Sequence, residues 1–290
     1  MTVRITALTD ADPGGRLAWL AADAEGSPLG AAYLQLFTGA GQLHLAELDV
    51  NVHPAERRAG IGTRLLAEAV AAARRQERRV LLAQAGSDSG GAAFLAARGF
   101  EVALTLLFTR LPSADADAAT LAAEIETPHP GYRLATWEGM VPEELAGSFV
   151  ASRRAMDDMP MGAVDFGRVI WDLDRVRRAV GAIVDRGDVL HTVAAVEEAS
   201  GAVVAFTELV LPGGGSGDAQ HYGTGVLPEH RGRGLARWMK AASIAYARER
   251  HPGVAGLLAD TADDNPAMRR VNEALGYRPT HTRHQYQLKL

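Results

Sequence analysis

The sequence predicts two tandem α/β domains built on one plan, and three observations carry that prediction. The pattern P-x-x-R-x-x-G-x-[GA] occurs twice, as Pro54-Ala55-Glu56-Arg57-Arg58-Ala59-Gly60-Ile61-Gly62 and as Pro228-Glu229-His230-Arg231-Gly232-Arg233-Gly234-Leu235-Ala236. An echo follows each copy, Arg98-Gly99-Phe100 and Leu275-Gly276-Tyr277. Motif arginine and echo glycine are 42 residues apart in one copy (57 to 99) and 45 in the other (231 to 276). Around both, strand-like and helix-like stretches alternate, the mark of a layered α/β domain.

The first copy reads as residues 1–111. Residues 3–8 and 16–22 have strand character, and Glu25-Gly26-Ser27-Pro28 turns the chain into a third strand at 29–37. A turn at 39–42 leads to a strand at 43–52 that delivers the first motif. A helix is expected over 60–76, because Ile61, Leu65, Ala69 and Ala73 recur every four residues. A strand at 80–85, a glycine-rich turn at 87–91, a short helix ending near Arg98 and a strand at 101–111 complete the copy.

Residues 112–130 change character, with Pro112, Pro128 and Pro130 around a modest helix at 119–125, and read as a linker. The second copy, 131–290, opens with a strand at 132–137 and then adds what the first lacks. A helix is expected at 141–156, where Pro142 suits the first turn and Glu143-Glu144 favour the N-terminal dipole. A loop at 157–166 and a helix at 171–184 follow. Strands at 190–196 and 203–211, a glycine-rich loop at 212–218 and a strand at 220–227 reach the second motif. A helix at 235–250, a strand at 254–260, a helix at 266–275 and a strand at 280–290 end the chain.

Composition narrows the function. At 290 residues the chain suits two domains, and 47% hydrophobic residues can bury two cores. A net charge of -5 and a pI near 6.0 offer no basic surplus for nucleic acid. The absence of cysteine rules out disulfides, a thiol nucleophile and thiolate metal sites. His44, His53, His281 and His284 make no metal set, so no metal is expected. With no membrane-length apolar run and no signal-peptide core, the expected location is the cytoplasm and no membrane partner is expected.

A glycine turn between strand and helix exposes backbone N–H groups, and the helix N-terminus adds roughly half a positive charge. Arg57 and Arg231 add a cation at the lip. The pattern therefore points to a phosphate-bearing ligand. A Walker loop is excluded because neither copy has Gly-Lys-Ser/Thr. A Rossmann fingerprint is excluded because Leu65 or Met239 stands where its third small residue belongs.

Residues 57–62 and 231–236 resemble the acetyl-CoA loop of the GCN5-related N-acetyltransferase (GNAT) superfamily, and the resemblance extends over residues 52–66, 226–239, Asn265-Pro266-Ala267-Met268 and Gly276-Tyr277-Arg278-Pro279. It implies two tandem domains, each a mixed, mostly antiparallel central sheet flanked by helices. It implies acetyl-CoA as cosubstrate and direct attack of an amine on the thioester. Val226, Arg231, Gly232, Arg233, Gly234, Leu235 and Ala236 would hold the cofactor in the second copy, and Arg57, Gly60 and Gly62 in the first. The pantetheine arm would lie between splayed strands at 220–227 and 254–260. Asn265 reads as a helix cap ahead of Pro266 and, alternatively, as a contact to that arm.

Glu208 is the expected proton acceptor on the central strand, and Tyr33 stands opposite it in the first copy. The tyrosine that often serves this family as general acid is replaced by Leu95 and Asn272. Asp157, Asp158 and Asp165 in the inter-helix loop suit a cationic amine. The second copy is thus the expected catalyst of acetyl transfer to a small-molecule amine, and the first a degenerate partner. The alternatives are a non-catalytic acyl-CoA sensor or scaffold and a transferase of longer acyl groups. A homodimer stays open.

Overall fold

The alternating apolar residues pair into two ladders of one design in the computed structural model, which describes residues 3–8 and 15–290. Residues 9–14, between the first two expected strands, lie outside the described residues. The elements run β1 (Arg4–Ala7), β2 (Arg16–Ala22), β3 (Pro28–Leu36), β4 (Leu45–Val52), α1 (Ile61–Arg75), β5 (Val80–Gly86), α2 (Gly90–Ala96) and β6 (Glu101–Pro112). Then come α3 (Ala118–Glu126), β7 (Tyr132–Glu138), α4 (Glu143–Ser152), α5 (Leu173–Val184), β8 (Val189–Glu197), β9 (Val203–Leu211) and β10 (Gly217–Val226). The chain closes with α6 (Leu235–Arg250), β11 (Val254–Ala262), α7 (Pro266–Ala274) and β12 (Arg278–Lys289).

They divide into two compact units, one of Met1–Thr105, Met161–Ile170 and Thr282–Leu290, the other of Leu106–Pro160 and Trp171–His281. In the first, β1-β2-β3-β4-β5 is extended by the end of β12, antiparallel throughout except for β4 on β5. In the second, the end of β6 lies on β11, followed by β10, β9, β8 and β7, again antiparallel except for β10 on β11. Each unit is therefore a mixed, mostly antiparallel sheet with helices on it. The terminal strands are exchanged. Residues 106–112 pair with 256–262, and residues 283–289 pair with 80–86. Sequence order alone assigns each last strand to its own copy, because a register between distant segments leaves no local pattern.

The expected four-residue stripe forms one face of α1, with Ile61, Leu65, Ala69 and Ala73 all buried. Burying a leucine such as Leu65 completely stabilises by about 1.5–3 kcal/mol. Successive residues of β5 point to opposite faces. Leu81, Ala83 and Ala85 join the core under α1 and α2, whereas Val80 and Leu82 pack with Val164 and Phe166. The later part of the loop expected between the second copy's added helices thus covers a face of the first unit's sheet. Gln42 donates to the Phe166 carbonyl at 3.2 Å, and the rings of Phe37 and Phe166 meet edge to face.

In the second unit, β8 sends Val193 and Ala195 to α6 and Ala194 and Val196 to α4 and α5. The segment expected as a linker folds onto this unit. Asp117 caps α3, Leu121 is buried against α6, and the Trp238 indole donates to the Ile125 carbonyl at 3.0 Å. The helix expected to run to Met156 stops at Ser152. The Ser152 hydroxyl donates to the Phe149 carbonyl at 2.7 Å, and the chain tightens into a 3₁₀ turn, Arg153–Met156.

The exchange has a measurable consequence. Ending the chain after His281 removes the antiparallel partner of β5. Hydrogen exchange of the amides of Val80–Gly86 should then accelerate at least about tenfold, while β10 and β11 keep their protection. Unchanged protection of β5 would show that the exchanged strand does not hold it.

Candidate functional site

Parallel β10 and β11 share a ladder only from Gly217↔Val254 to Gln220↔Leu258. Beyond Gln220, β10 continues to Val226 paired only with β9. The two strands therefore splay, leaving a slot whose inner edges carry backbone groups with no partner strand. The ladder between β10 and β9 skips Tyr222, since His221 faces Leu209 and Gly223 faces Glu208. Such a bulge releases one residue from the sheet and increases local twist. The first unit has the same splay, because β4 pairs with β5 only over Leu45–Leu48. Its β3–β4 ladder runs from Gly30↔Val52 to Leu36↔Ala46 without a shift, so the bulge belongs to the second copy alone.

Each splayed strand ends in the motif loop. Gly60 and Gly234 adopt the left-handed conformation, with φ of 80° and 79°, and open α1 and α6 without a side-chain cap. By contrast Ser89, Asp117, Asp172 and Asn265 cap α2, α3, α5 and α7 with their side chains. The first-turn N–H groups of α1 and α6 are thus left to an external acceptor, and the helix dipole favours an anion there. Gly232 has φ 76°. Arg58, its counterpart, is held at φ 69°, which costs a side-chain-bearing residue roughly 1–2 kcal/mol. The first copy keeps the loop shape despite the wrong residue for it.

The motif arginines do more than add charge. Arg57 Nε donates to the Val52 carbonyl at 3.2 Å and Arg231 Nε to the Val226 carbonyl at 2.9 Å, so each pins its loop to the end of its strand. The two terminal nitrogens of Arg231 also grip Asp158, both at 2.7 Å. That grip holds the Asp158 carboxyl below the usual carboxylate range and pushes Arg231 up. Asp158 thus lies at the loop, with Asp157 exposed next to it. Asp165 belongs to the first unit, where it meets His44 at 3.2 Å. Arg233 lies over the Tyr132 ring, Leu235 is buried beneath the loop, Ala236 is half-buried, and Asn265 caps α7 by accepting from the Met268 N–H at 3.1 Å. A cleft of about 300 Å³ adjoins Gly234, lined by His129, Tyr132, Arg233 and Arg237.

On the α4 face, Glu208 sits beside the bulge. Its carboxylate is forked by Arg153, with Nη1 at 2.8 Å from Oε2 and Nη2 on Oε1. The guanidinium is enclosed by Phe149, Trp171 and Phe206, whose ring centres lie 4.6, 4.6 and 4.4 Å from Cζ. Sequence reasoning found Glu208 but missed Arg153, whose partner lies 55 residues along the chain and leaves no local signal. Both oxygens of Glu208 are engaged, so accepting a proton requires one of them to be released first.

On the α6 face lies a cluster that sequence reasoning missed entirely. Lys240 is 2% exposed and His221 is 7% exposed. The Lys240 Nζ lies 5.0 Å from the Tyr277 ring centre, and His221 Nε2 is 2.7 Å from the Tyr277 hydroxyl. Burial pushes the Lys240 ammonium down to about 7, against a partial offset from Asp260. Burial likewise keeps the His221 imidazole neutral and pushes the Tyr277 phenol up. A lysine in a run of helix residues gives no local sign of where its side chain ends.

The comparisons with known proteins agree with this geometry. Residues 3–100 and 165–277 match the acetyltransferase (GNAT) family, and the chain belongs to it. It is therefore a member of a family of acyl-CoA-dependent N-acetyltransferases that use acetyl-CoA as cosubstrate. No curated protein matches it in sequence. Among solved structures it is similar to a tandem GNAT protein from the clavulanic acid biosynthesis pathway, at 29% identity and TM-score 0.78, over 96% of this chain and 84% of that one. It shares the fold of a GCN5-related N-acetyltransferase from Sphaerobacter thermophilus, at 16% identity and TM-score 0.65, over 96% and 82% of the two chains. No described helix is long and apolar enough to cross a membrane.

Two predictions follow from the buried charges. Glu208→Gln leaves the Arg153 cation buried and unpaired, and should cost about 3–5 kcal/mol in denaturant unfolding. The double variant Arg153→Met, Glu208→Leu should recover most of that loss, and failure to recover would mean that the pair is not what stabilises this face. The second prediction concerns Lys240, whose native pKa lies below its ordinary value of 10.5. Above pH about 7 the unfolded chain holds a proton there that the native chain has released, so stability rises with pH. From pH about 7 to about 9 the wild type should gain stability relative to Lys240→Met, and parallel pH curves for the two would contradict a buried, neutralised lysine.

Proposed function

We propose that the second copy moves an acetyl group from acetyl-CoA to a small-molecule amine, and that the first copy is a degenerate relative that keeps the loop but not the chemistry. The observation that carries this reading is the bulge at Tyr222, which stands in the second slot and has no counterpart in the first. It sits where β10 leaves β11, one strand away from Glu208. A backbone group freed there can polarise a thioester carbonyl lying in the slot.

The remaining roles follow from position. The N–H groups of Gly232, Arg233, Gly234, Leu235 and Ala236 receive the pyrophosphate, and Arg231 keeps that loop in place through Val226. The cleft beside Gly234 offers Arg233, Arg237 and aromatic faces to the nucleotide end. The arm runs back along β10 toward the bulge, and Asn265 caps the helix beside it. The acceptor approaches from the α4 face, where Glu208 accepts a hydrogen bond from its amine while Arg153 retains the other oxygen. Asp157 stands at the exposed edge of that face and draws a cationic substrate in.

The engaged state of Glu208 favours one other reading, a sensor that binds acyl-CoA without turning it over. Release of CoA thiol in the presence of an amine panel separates the two. Calorimetric titration with acetyl-CoA tests the assignment of copies. One site per chain is expected, weakened at least about a hundredfold by Gly234→Glu, which sets a carboxylate at an anion site, and unaffected by Gly60→Glu. Two sites, or loss in Gly60→Glu alone, would give cofactor binding to the first copy.

A further inference from the structure

The cluster on the α6 face lies where a thioester would end, a conclusion that rests on the reading of the slot given above. The loop begins after Val226, and β10 separates from β11 after Gln220. From Val226 back to His221 is five residue steps, about 16 Å of extended strand. An extended pantetheine arm is of that length, so an arm anchored at the loop brings its sulphur to the apex of the slot. His221 is the first residue of β10 past the apex, and Asp260 lies just past it on β11. Lys240 reaches this apex from α6. It bears on Asp260 and His221 electrostatically and lies over Tyr277, which stands between α7 and β12.

Three features set this lysine apart from a structural one. It forms no ion pair among the described residues, although an ammonium taken out of water costs several kcal/mol. Its surroundings are also incompletely satisfied. Both polar atoms of the Asn272 amide and Ser243 Oγ are buried with no hydrogen-bond partner among the described residues. Each is tied to the cluster: Ser243 is one helical turn from Lys240, and the Asn272 carbonyl accepts from the Tyr277 N–H at 3.0 Å. Finally, Asn272 occupies the position of the family's general-acid tyrosine, so no phenol comes from α7.

We propose that Lys240 is the catalytic acid of the second copy, donating a proton from Nζ to the CoA sulphur as it leaves. The acceptor nitrogen bonds to the acetyl carbonyl carbon, and the carbon–sulphur bond breaks with its electron pair on sulphur. That sulphur takes a proton from the Lys240 ammonium. The proton shed by the new amide nitrogen passes to water, from which Lys240 is recharged, so amine and acetyl-CoA become amide and free CoA. A group that loses its proton near pH 7 is matched to this task, because near neutral pH it is charged in a fraction of molecules and readily gives the proton up. Tyr277 and His221 act on it by position, holding the ammonium against a π face and a neutral imidazole rather than a carboxylate.

The test reads the thiol of bound CoA directly and needs no acceptor. The ultraviolet absorbance of the thiolate is followed against pH for CoA in the presence of wild type and of Lys240→Met. In wild type the bound thiol should ionise at least about tenfold more readily than free CoA, because a cation lies beside the sulphur. In Lys240→Met that shift should vanish while acetyl-CoA affinity stays within about threefold, and Lys240→Arg should keep it. The wild-type minus Lys240→Met difference isolates the second copy. A thiol that titrates in wild type as it does in water overturns the proposal, whatever the variants do. So does a shift that survives in Lys240→Met. If CoA does not bind to the wild type at all, the acetyltransferase reading of the slot fails first and this proposal with it.

Discussion

The early end of one parallel ladder governs the rest of the structure. Backbone N–H and C=O groups inside a domain must be paired, by a neighbouring strand, a side chain, water or a ligand. β10 and β11 satisfy one another only as far as Gln220 and Leu258, and from there each strand has a single partner. The slot between them is thus an interior edge in need of an extended polar chain. The loop at its far end, whose left-handed Gly234 opens an uncapped helix, is in need of an anion. One ligand with a phosphate at one end and an amide-bearing arm meets both needs, which is why the geometry and the family agree.

The exchange of terminal strands lies on the other side of the splayed strands. β11 and β5 each have a second edge, facing away from β10 and β4, and that edge is filled by an antiparallel segment from the other copy. Here β11 takes residues 106–112 and β5 takes residues 283–289. The first unit similarly acquires a cover for the face bearing Val80 and Leu82 from residues 161–170. Among the described residues it has no helical pair of its own after β1, and residues 161–170, from the insertion in the second copy, pack on its sheet. The first unit keeps a left-handed Gly60 and holds Arg58 at positive φ.

What could be read from the sequence was whatever is local. The motif fixes its own conformation, because a left-handed residue and a helix start lie within a few positions of each other, and the four-residue stripe of α1 is written in the helix itself. The mixed sheet followed from the family resemblance. What could not be read depends on partners far along the chain. Asp158 lies 73 residues from Arg231, and Arg153 lies 55 from Glu208. An aspartate pair in a loop looks alike whether it faces solvent, a substrate amine or a motif arginine. Asp158 proved to face the arginine, and Asp165 a histidine in the other unit. The bulge at Tyr222 was equally invisible, because register belongs to two strands and not to either alone.

The two buried cations of the second unit show how satisfaction separates structure from chemistry. Arg153 has a carboxylate on both terminal nitrogens and three aromatic rings around it. Its field is closed, with both terminal nitrogens committed to the carboxylate, so it holds Glu208 and shapes the face around it. Lys240 is as deeply buried on the opposite face, with a ring for a neighbour and unpaired polar atoms around it. Its charge is therefore conditional, present when an anion forms nearby and readily lost otherwise. Under the proposed transfer the apex of the slot is where a thiolate would leave, and that conditional charge is the property the proposal draws on.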